Sequence, residues 1–278
     1  MSPFLQQIGR RAAVCCFALI LGSSPALAQS QLELTIQQFR SSEVGGYVQP
    51  LGDLFGANMN AGLFHSAAVP QKGFHIRIDV IGMVAPVGEQ YKVYDATLPS
   101  GFVPQGGSYK TATVFGGRGT TFKDVSSGLE YRGSDGIVRV TAFPLLVPQL
   151  TIGSLFGTEA TVRYMRTPQL SQNWFPTRSI LFGIGLRHSI SQYLRSPEVD
   201  VSIGAFYSSF ALGDIIDVRA QAVNLSVSKT VSLFTPYIGL GYERSTMHLH
   251  YDFRGEGEQY PRLVDIVIEG ANRFRVTG

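Results

Sequence analysis

Cysteine and charge are both scarce in this chain. Its two cysteines, Cys15 and Cys16, lie side by side in an apolar run near the start. If that run is removed, the mature chain has no disulfide, no thiol chemistry and no cysteine metal site. Charged residues make up 15% of the 278 positions, against ~25% in typical soluble domains. No stretch after residue 28 approaches the ~18 to 20 continuous apolar residues of a membrane helix. No Gly-x-Ser-x-Gly elbow is present, which speaks against that class of hydrolase. A basic surplus is missing too. The 23 basic residues less Arg10 and Arg11 leave 21 against 20 acidic ones, a net of +1, so nucleic acid is not an expected partner.

Arg10 and Arg11 form a positive start, residues 12–22 ("AAVCCFALILG") an apolar middle, and Ala26-Leu27-Ala28 a small-residue cleavage site. This is the pattern of a secretory signal peptide over residues 1–28, with bacterial export and a mature chain beginning near Gln29.

Glycine is abundant at 31 residues and aromatics reach 11%. Short runs alternate with period two. Phe74, Ile76, Ile78 and Val80 oppose His75, Arg77 and Asp79. Ile180, Phe182, Ile184 and Leu186 share a face, and Val199, Val201, Ile203 and Ala205 oppose Asp200, Ser202 and Gly204. Met247, Leu249, Tyr251 and Phe253 oppose His248, His250 and Asp252. Further strands are expected at 110–115, 137–143, 158–165, 215–227 and 235–244, with another opening at Arg273. Several runs reach the ~9 to 11 residues that a tilted strand needs to cross a bilayer. A soluble periplasmic β-sandwich and a membrane barrel both produce such alternation. Export, strand length, mid-strand charges and aromatics near strand ends (Tyr193, Phe206, Tyr207, Phe210, Tyr237, Tyr242) favour the all-β, antiparallel transmembrane barrel. Residues 89–136 pattern weakly and are expected to give one or two strands with long outer loops; 255–261 reads as a polar loop.

Residues 47–64, "YVQPLGDLFGANMNAGLF", fit neither scheme. The apolar residues fall at helical spacing, yet the glycines argue against a stable free helix. Together with Gly73-Phe74, the residues Tyr47, Pro50, Leu51, Gly52, Gly56, Asn60 and Gly62 form a motif that resembles an uncharacterised family of bacterial outer-membrane barrels, common in Bacteroidota and relatives. Residues 183–194 and 228–245 are similar to that family's strands. The resemblance is loosely shared with outer-membrane long-chain fatty-acid transporters. It implies a barrel over 73–278 of about ten or more strands, a helical or irregular plug over 29–72, outer-membrane lipid and the barrel-insertion machinery as partners, and passage or binding of small, hydrophobic solutes. A structural or adhesive barrel is the alternative. Such barrels end on a strand with a terminal aromatic residue. This chain stops at Arg275-Val276-Thr277-Gly278, so a truncated frame or missing final strands are expected.

The candidate lumen charges are His75, Arg77, Asp79, Arg163, Arg187, His248, His250 and Asp252. They suit an interior ion-pair network, a charged constriction selecting solutes, or both. His248, His250 and Asp252 alone lack the convergent ligands of a metal centre, and no cofactor is expected. His188 and Ser189 are neighbours on a strand and point to opposite faces, so no enzyme is expected.

Overall fold

The computed structural model describes residues 41–64, 66–70, 73–96, 109–123, 128, 130–167, 178–194, 198–253, 262–270 and 272–277. The expected signal peptide, the first part of the plug segment and the loop at 255–261 lie outside the described residues. Among the described residues the chain forms one α-helix, α1 (Ser41–Met59), and thirteen strands. These are β1 (His75–Pro86), β2 (Val93–Ala96), β3 (Tyr109–Ala112), β4 (Thr121–Lys123), β5 (Glu130–Arg132), β6 (Ala142–Leu155), β7 (Thr158–Thr167), β8 (Ser179–Ser189), β9 (Asp200–Leu212), β10 (Ile216–Ser228), β11 (Tyr237–Phe253), β12 (Arg262–Glu269) and β13 (Arg273–Thr277).

Nine strands make one antiparallel sheet in the order β1-β6-β7-β8-β9-β10-β11-β12, with β13 also on β11. The sheet curls into a half-barrel, and β1 at one edge does not pair with β12 or β13 at the other among the described residues. Strands β12 and β13 lie on the same side of β11: Thr246 pairs with Glu269, and Glu243 with Arg273. The three-residue step on β11 against four on its partner is a one-residue bulge. The expected new strand at Arg273 is therefore the continuation of β12.

Two expectations fail for identifiable reasons. A strand at 137–143 was expected; the observed strand is β6, beginning at Ala142. Pro144 and Pro148 hide it, since proline is excluded from central strands. Strand β7 pairs with β6 only from Gln149 onward, so the β7 side beside both prolines needs no ladder. Among its described residues, the region 89–136 adds no strand to the main sheet. Its strands form two small hairpins, β2–β3 and β4–β5. The segments that follow β3 and β5 cover one end of α1: Val114 N–H donates to Tyr47 O at 3.0 Å, and the Tyr47 hydroxyl donates to Asp135 O at 2.9 Å.

The sheet's two faces are wetted in the reverse of a soluble protein's. On the convex side Ile76, Ile78, Val80, Ile184, Leu186, Ile238 and Leu240 are exposed, Ile78 to 78%. On the concave side Gln149, Glu159, Arg163 and Arg187 are buried, Arg163 to 1% and Glu159 to 2% exposure. Toward the end that holds α1 the polarity inverts. Strand β11 buries Met247 and Leu249, and strand β10 buries Val218 and Ala220, leaving His248 and Arg219 outside. Helix α1 fills this apolar end through Val44, Tyr47, Val48, Leu51, Leu54 and Met59.

Aromatic placement also differs from expectation. Phe206 and Phe210 are buried on the concave side. Gly185 makes room for Phe206, because a Cβ there would lie 2.1 Å from the ring. Phe210 packs on Phe55 of α1 with centroids 4.4 Å apart.

Helix α1 forms despite four glycines and Pro50, so of the two forms expected for this stretch, helical or irregular, residues 41–59 take the helical one. Enclosure replaces propensity. The glycines set the approach: a Cβ on Gly56 would lie 2.5 Å from Ser245 Cβ, and one on Gly46 2.3 Å from the Tyr94 ring. Gly45 by contrast has nothing within 4 Å. Gly45→Ala should therefore stabilise the protein by about 0.5–1 kcal/mol, the usual gain in a helix interior. Gly56→Ala should have the opposite sign and lower the melting temperature. Thermal melts of the two variants side by side check both signs.

Candidate functional site

The site is the line of contact between the concave wall and the N-terminal segment. A helix leaves its last carbonyls without partners, and α1 has no basic residue in its last turn to offset the C-terminal dipole. The wall supplies both. Arg163 on β7 donates to Met59 O at 3.2 Å, Ala61 O at 3.1 Å and Gly62 O at 2.6 Å. Its Nε donates to Gln149 Oε1 at 2.8 Å. Arg275 donates to Ala57 O at 3.0 Å. Gly62, three residues past the helix, turns the chain at φ +58°, in the left-handed conformation that glycine accepts best. A Cβ there would also lie 2.4 Å from Ile81.

Arg187 on β8 repeats the arrangement further along. It donates to Ser66 O and, at 3.3 Å, to Ala68 O. It pairs with Glu159, which also accepts from His75 Nε2 at 2.9 Å. Each guanidinium lies over a ring with its Cζ 5.0 Å from the centroid, Arg163 on Phe206 and Arg187 on Phe64. Stacking and forked donation are what guanidinium offers and ammonium does not. Ser228 adds a hydroxyl that accepts from Ala67 N–H at 2.9 Å.

His75, Arg77 and Asp79 lie together on the concave face of β1, with Arg77 Nε 2.9 Å from Asp79. The motif residues of α1 all contact the wall or the cap. Tyr47, Pro50 and Leu51 are buried. A Cβ on Gly52 would meet Ile268 and Met247 at 3.3 and 3.5 Å. Asn60 Nδ2 reaches Arg244 O at 3.5 Å.

His248 and His250 do not join the lumen group. Met247 and Leu249 occupy the concave face there and are fully buried, so both histidines lie on the convex side. The cause is the polarity inversion along β11: alternation gives the parity but not which parity is inside. The Asp252 side chain lies outside the described residues. His188 and Ser189 lie on opposite faces, His188 bonding Thr158 at 2.8 Å while Ser189 is buried.

Several site residues escaped the sequence reading: Glu159, Gln149, Glu243, Arg273 and Arg275. Glu243 pairs with Arg273 at 2.6 Å and Arg275 at 3.0 Å. A signal was present for Glu159, since Glu159, Thr161 and Arg163 alternate with Ala160, Val162 and Tyr164.

The fold and site together define a class: an antiparallel half-barrel whose concave side is occupied by its own N-terminal helix and held by buried arginines. The chain belongs to the family described as "Family of unknown function (DUF6588)", whose match covers residues 8–273. No curated protein and no solved structure matches it.

Arg163→Met should leave three segment carbonyls without their donor, at about 1–3 kcal/mol for each that stays dry. Limited proteolysis should then cut within residues 57–70 faster than in the wild type, whereas Gln149→Leu, which keeps those three bonds, should change the rate little. Burial raises the Tyr47 pKa, with the negative field of Asp135 a lesser cause. A phenol whose folded pKa lies above its unfolded value stabilises fully below pH ~10 and loses that contribution as pH climbs beyond it. Denaturation curves from pH 8 to 11 should therefore fall more steeply above pH ~10 for the wild type than for Tyr47→Phe.

Proposed function

We propose that the protein is a β-barrel of the bacterial outer membrane, reached after export and cleavage near Ala28, that binds or passes small hydrophobic solutes past an N-terminal plug. The observation that carries this reading is the reversed wetting of the sheet. An exposed row of isoleucine, leucine and valine over a concave side of arginine, glutamate and glutamine is costly in water and suits lipid outside with a polar lumen inside. Strand length supports it as well. Strand β11 has 17 residues, or ~56 Å at the usual rise, which exceeds the ~30 Å hydrocarbon layer. Its convex side turns polar at Arg244 and Thr246, where the strand would leave the bilayer. Outer-membrane lipid and the insertion machinery are then its partners, and both sheet edges have to be covered within the lipid.

The preference for hydrophobic solutes rests on the end that α1 occupies. Met83, Leu145, Phe210, Val218 and Met247 line it, so removing the helix would uncover an apolar vestibule. A purely structural or adhesive barrel is the second reading. The two hairpins of 93–132 favour it, because they close over the helix and present Glu130 and Thr121 to solvent. A soluble periplasmic sandwich is the reading that the reversed wetting disfavours.

Fractionation is the first test. Recovery in the outer membrane, with heat-modifiable migration on a detergent gel, is expected; recovery in the soluble periplasm overturns the proposal. In planar bilayers, deletion of residues 41–64 should raise single-channel conductance over the full chain. A heat-modifiable barrel that conducts in neither form points to the structural role instead.

A further inference from the structure

The convex surface near the α1 end holds a cluster that the lumen does not use. His250 on β11 is the register partner of Asp265 on β12. His248, two residues back on the same face, is the register partner of Asp217 on β10. The two imidazoles are stacked, with centroids 6.1 Å apart and planes 15° from parallel. His250 Nδ1 lies 3.4 Å from Asp265 Oδ1. One ligand atom from each of His248, His250 and Asp265 falls within 4.8 Å of the others.

We infer that His248, His250 and Asp265 form a binding site for a divalent transition-metal cation, zinc being the reference ion. Two imidazoles and one carboxylate are a borderline donor set that suits Zn²⁺, Cu²⁺ or Ni²⁺. Ca²⁺ and Mg²⁺ take oxygen ligands and are disfavoured. Zinc bonds of ~2.0–2.2 Å to nitrogen and oxygen place two tetrahedral ligand atoms ~3.3 Å apart. The His250–Asp265 pair is already at that spacing, and a rotation of His248 closes the third side. The donors stand on two hydrogen-bonded strands, so little backbone order has to be created on binding. Three protein ligands leave a fourth position for water. Asp217 is the neighbouring carboxylate, and its pairing with Arg219 at 3.0 Å keeps it engaged elsewhere. A cation here would tie β12 to β11 and so fix an edge of the sheet. The site shares its face with Asp217 and Arg219 on one side and with the exposed Val267 and Leu263 on the other, and its donor set stands whether or not the sheet meets lipid.

The sequence alone, with Asp252 as the third group, lacked a convergent ligand. The cross-strand Asp265 is what the fold adds.

The test is calorimetric titration of Zn²⁺ into chelator-treated full-length protein carrying Cys15→Ser and Cys16→Ser, so that thiols do not compete. One ion per chain is expected. His248→Ala, His250→Ala and Asp265→Asn should each weaken binding at least tenfold, while His188→Ala, a partly exposed histidine elsewhere, should not. With Cu²⁺ as the probe, the electron paramagnetic resonance spectrum should show two coordinating nitrogens, falling to one in either histidine variant. Circular dichroism of each variant confirms that the fold is kept. Absence of stoichiometric binding, or binding that the three substitutions leave unchanged, overturns the proposal.

Discussion

The Arg163 guanidinium is the contact on which the arrangement of this molecule turns. A helix that ends inside a sheet has carbonyls pointing at a wall, and a wall of ordinary side chains cannot satisfy them. Arg163 brings donors to the last of them, Met59 O, and to Ala61 O and Gly62 O just beyond the helix, and its Nε takes up Gln149. The positive charge also sits where the helix dipole is negative. This requires an arginine buried in a β-strand with no carboxylate bonded to it among the described residues, an arrangement that a dry soluble core would not tolerate. Backbone carbonyls and the Phe206 face take the place of a counter-ion. Arg187 differs because Glu159 balances it, and His75 then shares that carboxylate.

From this follows the division of the concave side. Where the chain runs as irregular backbone, at 60–64 and 66–68, the wall answers carbonyl with guanidinium and amide with hydroxyl. Where it runs as helix, most of its backbone groups are paired internally and it presents mainly side chains, so the wall there is largely apolar. The inversion of polarity along β10 and β11 mirrors that change in the segment they enclose. On β11 the convex side changes with it, from Ile238 and Leu240 beside the polar wall to Arg244 and His248 beside the apolar one.

Much of this was legible from period two. Strands β1, β8 and β9 were visible because small or polar residues alternate with isoleucine, valine and phenylalanine on one side. Parity was readable there, and where the convex face is apolar, Arg77 and Asp79 of β1, Arg163 of β7 and Arg187 of β8 lie on the concave side. On β11 the same rule placed His248 and His250 inside, because nothing in a single strand says that the chain has left the apolar band. Strand β6 was hidden by two prolines, whose tolerance depends on where β7 starts pairing. Helix α1 was legible only as a helical or irregular segment, because its glycines record contacts with Ser245, Tyr94 and Met247 that do not exist until the chain is folded. Glu159 was overlooked although its parity matched that of Arg163. The motif Asn60-x-Gly62 was seen as a turn, but its partner, an arginine about a hundred residues away, is a property of topology.

The two parts of the N-terminal segment are held by different physics, and this bears on how it could be displaced. The carbonyls of Met59, Ala61, Gly62, Ser66 and Ala68 are bonded to guanidinium groups that water can solvate equally well. If water enters a lumen, exchanging segment carbonyls for water costs little, since hydrogen bonds are traded one for one. The helix is held by Val44, Tyr47, Leu51, Leu54 and Met59 against Met83, Leu145 and Met247. Water cannot replace these contacts, because uncovering apolar surface costs roughly 25 cal/mol per Å². Only an apolar occupant can take their place. On the reading proposed above, then, the polar end sets where the segment rests and the apolar end sets what can move it. A hydrophobic solute entering beneath the hairpin cap would compete with α1 for the same side chains, whereas a polar solute would gain nothing there. The selectivity of such a gate would come from the helix it displaces.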